Sequence, residues 1–137
     1  MNLLLDYQKK IFKYLKNLEG KKKILIPTKI KSFSVELPPK NQKADMSCNA
    51  AMVLSKANNI SSLELAKILK KHLLSSFNEF TNIEIAGPGF LNISFTNTFW
   101  KQYLQNIIKL NDRFGSGTFS KKKYNIEFVS ANPTGPL

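Results

Sequence analysis

Two short stretches of this 137-residue chain carry side chains whose types and spacing could do chemistry. The first is Ile126-Glu127-Phe128-Val129-Ser130-Ala131-Asn132-Pro133-Thr134-Gly135-Pro136-Leu137. It reads as a strand running into a rigid Pro/Gly loop. Such a loop gathers polar side chains at the carboxyl end of the strand, which is where open parallel sheets bind ligands. Glu127, Ser130 and Asn132 offer a carboxylate, a hydroxyl and an amide, a set able to hold an ammonium group and a carboxylate. A strand followed by an ordinary turn fits the same residues. The second stretch is Phe90-Leu91-Asn92, directly after Gly87-Pro88-Gly89. Two positions apart on a strand, Phe90 and Asn92 share one face. A ring beside an amide suits a splayed-out RNA base, which stacks on the ring and pairs with the amide through its edge. Phe90 packed in the core, with Asn92 capping a turn, is the competing reading.

The remaining reactive residue types point to structure. The single cysteine, Cys48, and the single histidine, His72, leave no disulfide framework and no zinc cluster, so no metal site is expected. Cys48 lies in a run of small residues and reads as a small core hydrophobe within a helix. His72 falls at the end of a helix with no second histidine. Trp100 opens a helix and is expected to anchor it to the sheet. Gly115-Ser116-Gly117 lacks the Lys-Ser/Thr of a phosphate-binding loop and reads as a flexible turn. No catalytic residue is assigned within the chain.

Positioning these groups requires a folded domain, and the composition supports one. With 42% hydrophobic and 22% charged residues, the chain is a globular domain with a modest core and not a disordered tail. Lysine and arginine total 21 against 9 acidic residues, giving a formal charge of +12. That excess points to a polyanionic partner such as nucleic acid. The runs Lys21-Lys22-Lys23 and Lys121-Lys122-Lys123 also fit solvated loops, and part of the excess fits a coding bias toward lysine, asparagine and isoleucine. No apolar run approaches the roughly 18 residues of a membrane span. No helix joins a basic face to a Trp/Phe/Leu face, so a membrane partner is not expected. The N-terminus lacks the pattern of a secretory signal. A reduced, cytoplasmic setting follows.

Along the chain, Leu4, Tyr7, Ile11, Tyr14, Leu15 and Leu18 recur at helical spacing over 3–18, and Gly20 stops that helix. Residues 24–30, broken by Pro27, read as a loop or frayed strand. Residues 33–37 alternate as a half-buried strand that Pro38-Pro39 ends. Residues 45–56 are expected to form a helix with Asp45 as N-cap and Met46, Ala50, Val53 and Leu54 on one side. Ser61 and Glu64 fit a capping box opening a helix to about Leu74, with Leu65, Ile68, Leu69 and Leu73 inward. Strands over 83–85 and 90–95 flank Gly87-Pro88-Gly89. A helix follows over 97–110, with Phe99, Tyr103, Leu104, Ile107 and Ile108 apolar, and then a last strand over 124–129. The fold class is α+β, a small, mostly antiparallel sheet packed with about four helices. Because its last strand leads into nothing, the chain reads as a truncated piece.

Three motifs, in order, resemble one family. Glu127-Phe128-Val129-Ser130-Ala131-Asn132-Pro133-Thr134-Gly135-Pro136-Leu137 is similar to the segment leading into the His-Xaa-Gly-His signature of arginyl-tRNA synthetases. Asp45-Met46-Ser47-Cys48-Asn49-Ala50-Ala51 resembles a segment of that family's additional N-terminal domain, with Ala44 where the family has glycine. Gly87-Pro88-Gly89-Phe90-Leu91-Asn92-Ile93 resembles its Gly-Pro-Gly-Phe-Ile-Asn segment. The resemblance spans the whole chain. It implies that residues 1–120 form a domain recognising the tRNA D-loop, with Phe90 and Asn92 holding one D-loop base. It implies that 121–137 form the first strand and lead-in loop of a class I catalytic domain. Ser130 and Asn132 would bind the α-amino and carboxylate end of arginine, with Glu127 in support. The start of the signature region would run from Ala131 and Asn132 through Pro133, Thr134, Gly135 and Pro136 to Leu137. The parent would be a monomeric arginine–tRNA ligase taking L-arginine, tRNA(Arg) and ATP with Mg2+, and not DNA. The signature histidines and the ATP site are missing here, so the piece alone is expected to be inactive. A free-standing basic RNA-binding module is the alternative.

Overall fold

The computed structural model describes residues 2–30, 32–116 and 125. The first helix, α1, runs over Leu3–Gly20 and buries Tyr7, Ile11, Leu15 and Leu18, a stripe at helical spacing. Asn2 caps it, its side chain accepting from the Leu5 N–H at 3.1 Å. The chain then folds back along the end of α1. Glu19 accepts from the Ile26 N–H at 2.9 Å and from Lys16 at 2.9 Å. Asn58 brackets Leu25 from the other side, accepting from its N–H at 2.8 Å and donating to its carbonyl at 2.9 Å. These side chains satisfy the backbone of a segment that joins no ladder, as Pro27 led one to expect.

Strand β1 is short, Val35–Glu36, and Leu37 points away from the core at 73% exposure. The next element differs from the helix expected over 45–56. Met46–Cys48 form strand β2, and helix α2 begins only at Ala50 and runs to Ser55. Asp45 is not a helix cap. Its carboxylate accepts from the Phe95 N–H at 2.7 Å, and its own N–H donates to the Ile93 carbonyl at 2.9 Å. Asn49 holds the Ser34 N–H at 2.8 Å. The reason for the difference is tertiary. Met46 and Cys48 are buried on either side of a half-exposed Ser47, and these three residues close the gap between two other strands, an advantage that helical spacing does not register. Cys48 is therefore a strand residue, although it is the small buried hydrophobe expected; burial pushes its thiol up to about 12.

Helix α3 spans Ser62–Ser76 and carries the expected capping box: Ser61 Oγ accepts from the Glu64 N–H at 3.1 Å, and the Glu64 carboxylate accepts from the Ser61 N–H at 3.0 Å. Leu65, Ala66, Leu69 and Leu73 face inward, while Ile68, expected with them, is 40% exposed. Strands β3, Phe80–Ala86, and β4, Phe90–Phe95, form a hairpin. Helix α4, Asn97–Leu110, starts at Thr96, whose hydroxyl accepts from the Phe99 N–H at 3.2 Å. Phe99 stacks on Phe95 at 4.1 Å and Trp100 meets Phe95 edge-on at 5.6 Å, so the tryptophan does tie the helix to the sheet. Further along α4, Leu104 and Ile108 are exposed.

The four strands form one antiparallel sheet in the order β1-β2-β4-β3. Helices α1, α2 and α3 pack against it over a shared core. The fold is thus the expected α+β class. The strand expected over 124–129 lies outside the described residues.

Candidate nucleic-acid interface

Alternation along β4 sorts its side chains to two faces. Leu91, Ile93 and Phe95 are buried in the core, and Phe90, Asn92 and Ser94 belong to the opposite face. In register across the sheet, Asn92 lies opposite Ser47 on one side and Glu84 on the other, and Ser47 lies opposite Glu36. A polar row therefore crosses the sheet face away from the helices.

A cleft of about 530 Å³ opens beside this row. Phe90 and Asn92 line it together with Leu37, Pro38, Pro39 and Gln42 of the segment after β1, Glu36, Ser34 and Ser47, and the β3–β4 turn. Its walls are mostly apolar, and among the described residues no lysine, arginine or histidine lines it. It suits a flat, neutral ring better than a phosphate.

The Gly87-Pro88-Gly89 turn sets one wall. Gly87 and Gly89 have φ of +51° and +122°, backbone that side-chain-bearing residues rarely adopt. A Cβ on Gly89 would sit 2.9 Å from the Ser62 carbonyl oxygen, so glycine is also what lets the turn close on the start of α3. Ser62 Oγ donates to the Pro88 carbonyl at the same junction.

Phe90 is half-buried, its ring part of the cleft wall and not lost in the core. Asn92 is only 4% exposed. Its Nδ2 donates to Gln42 Oε1, and its Oδ1 is the buried side-chain polar atom left without a partner among the described residues. An unpaired buried amide oxygen is costly, about 1–3 kcal/mol. Gln42 was not singled out from sequence; it is 50 positions from Asn92 in a polar stretch, and no local pattern marks it.

A second cleft, about 590 Å³, lies where the start of α1 meets β3 and α4. Tyr7 donates to Glu79 at 2.9 Å, and Lys10 Nζ sits 4.5 Å from the centre of the Tyr7 ring. Burial first, and the Glu79 carboxylate after it, hold the Tyr7 phenol well above its ordinary value. Sequence reading missed this cluster, since Tyr7 and Glu79 are 72 positions apart.

Of the sequence-derived candidates, Phe90 and Asn92 are brought together as expected. Glu127, Ser130 and Asn132, with Ala131, Pro133, Thr134, Gly135, Pro136 and Leu137, lie outside the described residues. His72 is half-buried near the end of α3, its carbonyl accepting from the Tyr14 hydroxyl at 3.1 Å, and burial with Lys23 and Lys71 nearby lowers its imidazole pKa. Among the described residues no group of three His, Cys, Asp or Glu could hold a metal, and no helix is long and apolar enough to cross a membrane.

Residues 6–95 match the family profile described as the arginyl tRNA synthetase N terminal domain. The chain is 39% identical over 138 residues to the arginine–tRNA ligase of Pelagibacter ubique, a match covering 100% of this chain and 24% of that protein. Against the arginine–tRNA ligase of Allorhizobium ampelinum it is 36% identical, covering 100% of this chain and 23% of the relative. Against that of Lawsonia intracellularis it is 38% identical over 108 residues, covering 78% and 20%. The chain spans about a quarter of the length of the curated relatives it matches.

Proposed function

The chain belongs to the arginyl-tRNA synthetase N-terminal domain family, and from that premise we propose that its Phe90–Asn92 cleft receives one unpaired base of the D-loop of tRNA(Arg). The observation that carries this reading is the pairing of a half-buried ring with a buried, under-satisfied amide on one sheet face, in a cleft that no cation lines among the described residues. A base stacked on Phe90 and paired to Asn92 satisfies both. The lysines elsewhere on the chain supply the non-specific attraction to phosphates.

The whole protein is an arginine–tRNA ligase, which joins L-arginine to tRNA(Arg) at the expense of ATP in the cytoplasm. Residues 1–120 are its D-loop-recognising domain, and 121–137 lead into its class I catalytic domain. Ser130 and Asn132 hold the α-amino and carboxylate end of arginine, with Glu127 supporting them. ATP and its Mg2+ are held by residues beyond this chain, which by itself forms no adenylate.

The test is tRNA(Arg) binding by the 137-residue chain, followed by fluorescence anisotropy. Phe90→Ala is expected to weaken binding by about 1–3 kcal/mol, the worth of one base–aromatic stack, while the thermal midpoint moves little. Wild-type affinity in that variant would remove the cleft from the interface.

A further inference from the structure

The Asn92–Gln42 contact is not used by the base-stacking reading, and it has a direct consequence for it. Gln42 sits in the turn between Pro39 and Ala44, its N–H donating to the Pro39 carbonyl at 2.9 Å and its carbonyl accepting from the Ala44 N–H at 3.1 Å. With its backbone so fixed, the side chain reaches across to Asn92 and accepts from Nδ2. A carboxamide carries an acceptor and a donor side by side, the same grouping that a nucleobase presents on its pairing edge. In the chain without RNA, Gln42 therefore occupies Nδ2 of the Asn92 amide, and Oδ1 is buried with no partner among the described residues. Gln42 and Asn92 both line the cleft that Phe90 walls.

Resting on the nucleobase reading above, we propose that Gln42 is a place-holder for the base. Its carboxamide covers Asn92 in the free chain, and the incoming base displaces it. The base takes over the hydrogen bond from Nδ2 and gives Oδ1 the donor it lacks. The displaced Gln42 amide, on a surface turn, passes to water. Exchange of one neutral hydrogen bond for another is nearly even, and the newly paired Oδ1 tips it toward the complex. This makes Gln42 a specificity-determining residue. Only a group with an acceptor next to a donor replaces a carboxamide and also satisfies Oδ1; a phosphate, which offers acceptors alone, does not.

The experiment compares binding of a tRNA(Arg) transcript to the 137-residue chain and its variants. Gln42→Ala removes the group that must be displaced and is expected to tighten binding roughly 2- to 10-fold, the worth of one neutral hydrogen bond. In an Asn92→Leu background the same change is expected to give no gain. Affinity that is unchanged or weaker in Gln42→Ala would overturn the proposal. So would a gain that persists beside Asn92→Leu, since that would be mere widening of the cleft. An NMR readout stands independent of how Asn92→Leu folds. On adding the tRNA to the wild-type chain, the Gln42 side-chain amide resonance should move to the position of a solvent-exposed amide, and an unmoved resonance would overturn the proposal. Phe90→Ala run in the same series separates the two ideas: if it fails to weaken binding, the nucleobase reading falls. If it weakens binding while Gln42→Ala does not tighten it, only the place-holder falls.

Discussion

The clefts around Phe90 and around Tyr7 enclose about 530 and 590 Å³, close to the same space. Around Tyr7 the polar groups already have one another: the phenol donates to Glu79, and the Lys10 ammonium lies over the same ring. Around Phe90 the central amide is half-paired, and its oxygen has no partner among the described residues. The first is a finished joint between α1, the sheet and α4; the second is an unfinished one. Volume does not distinguish the two clefts, whereas the state of their buried polar groups does.

Tyr7 should then be costly to remove and unrelated to RNA. Its ring meets Phe80, Phe95 and Phe99 at 5.6, 4.8 and 5.9 Å. Tyr7→Ala should lower stability by about 3–5 kcal/mol in denaturant titration, as large-to-small changes in aromatic cores do. Where the variant is still folded, tRNA affinity should be that of the wild type; a parallel loss of affinity would blur the distinction between the clefts.

Gly89 tests the wall of the other cleft. With its positive φ and no room for a Cβ, Gly89→Ala should cost about 1–3 kcal/mol of stability. Unlike Tyr7→Ala, it should also weaken tRNA binding under conditions where the chain is folded, because the turn carries Phe90 into place. Unchanged affinity would show that the turn serves the fold alone.

The smallest effect is the most specific. Tyr7→Phe keeps the ring and loses one hydrogen bond to Glu79, about 1 kcal/mol. It should also change the alkaline limb of stability. The Tyr7 phenol keeps its proton in the fold more tightly than in the unfolded chain. Its contribution is therefore whole below the unfolded value of about 10 and is lost as the pH rises beyond it. Melting curves across that range should fall less steeply for Tyr7→Phe than for the wild type. Equal slopes would mean the phenol is not held as described.

Much of this was legible in the sequence. Helices α1, α3 and α4, the Ser61–Glu64 capping box and the hairpin around Gly87-Pro88-Gly89 follow from spacing, caps and turn residues, all local signals. The same-face placement of Phe90 and Asn92 follows from strand alternation. Strand β2 was hidden because Met46, Ala50, Val53 and Leu54 also satisfy helical spacing; only the ladder to β1 and β4 decides the matter, and those partners are remote. Ile68 and the far end of α4 show the converse, apolar spacing without burial. Gln42 and Glu79 were invisible for the same reason as β2: each acts on a residue 50 or more positions away.

The most direct test of the base-binding claim alters the RNA and the ring together. A set of tRNA(Arg) transcripts, each with one D-loop base removed, is titrated against the wild-type chain and against Phe90→Ala. One abasic position should weaken wild-type binding by about 1–3 kcal/mol and leave Phe90→Ala no weaker than it already is, because ring and base are partners in one stack. Losses that simply add at every position would contradict a nucleobase seated on Phe90.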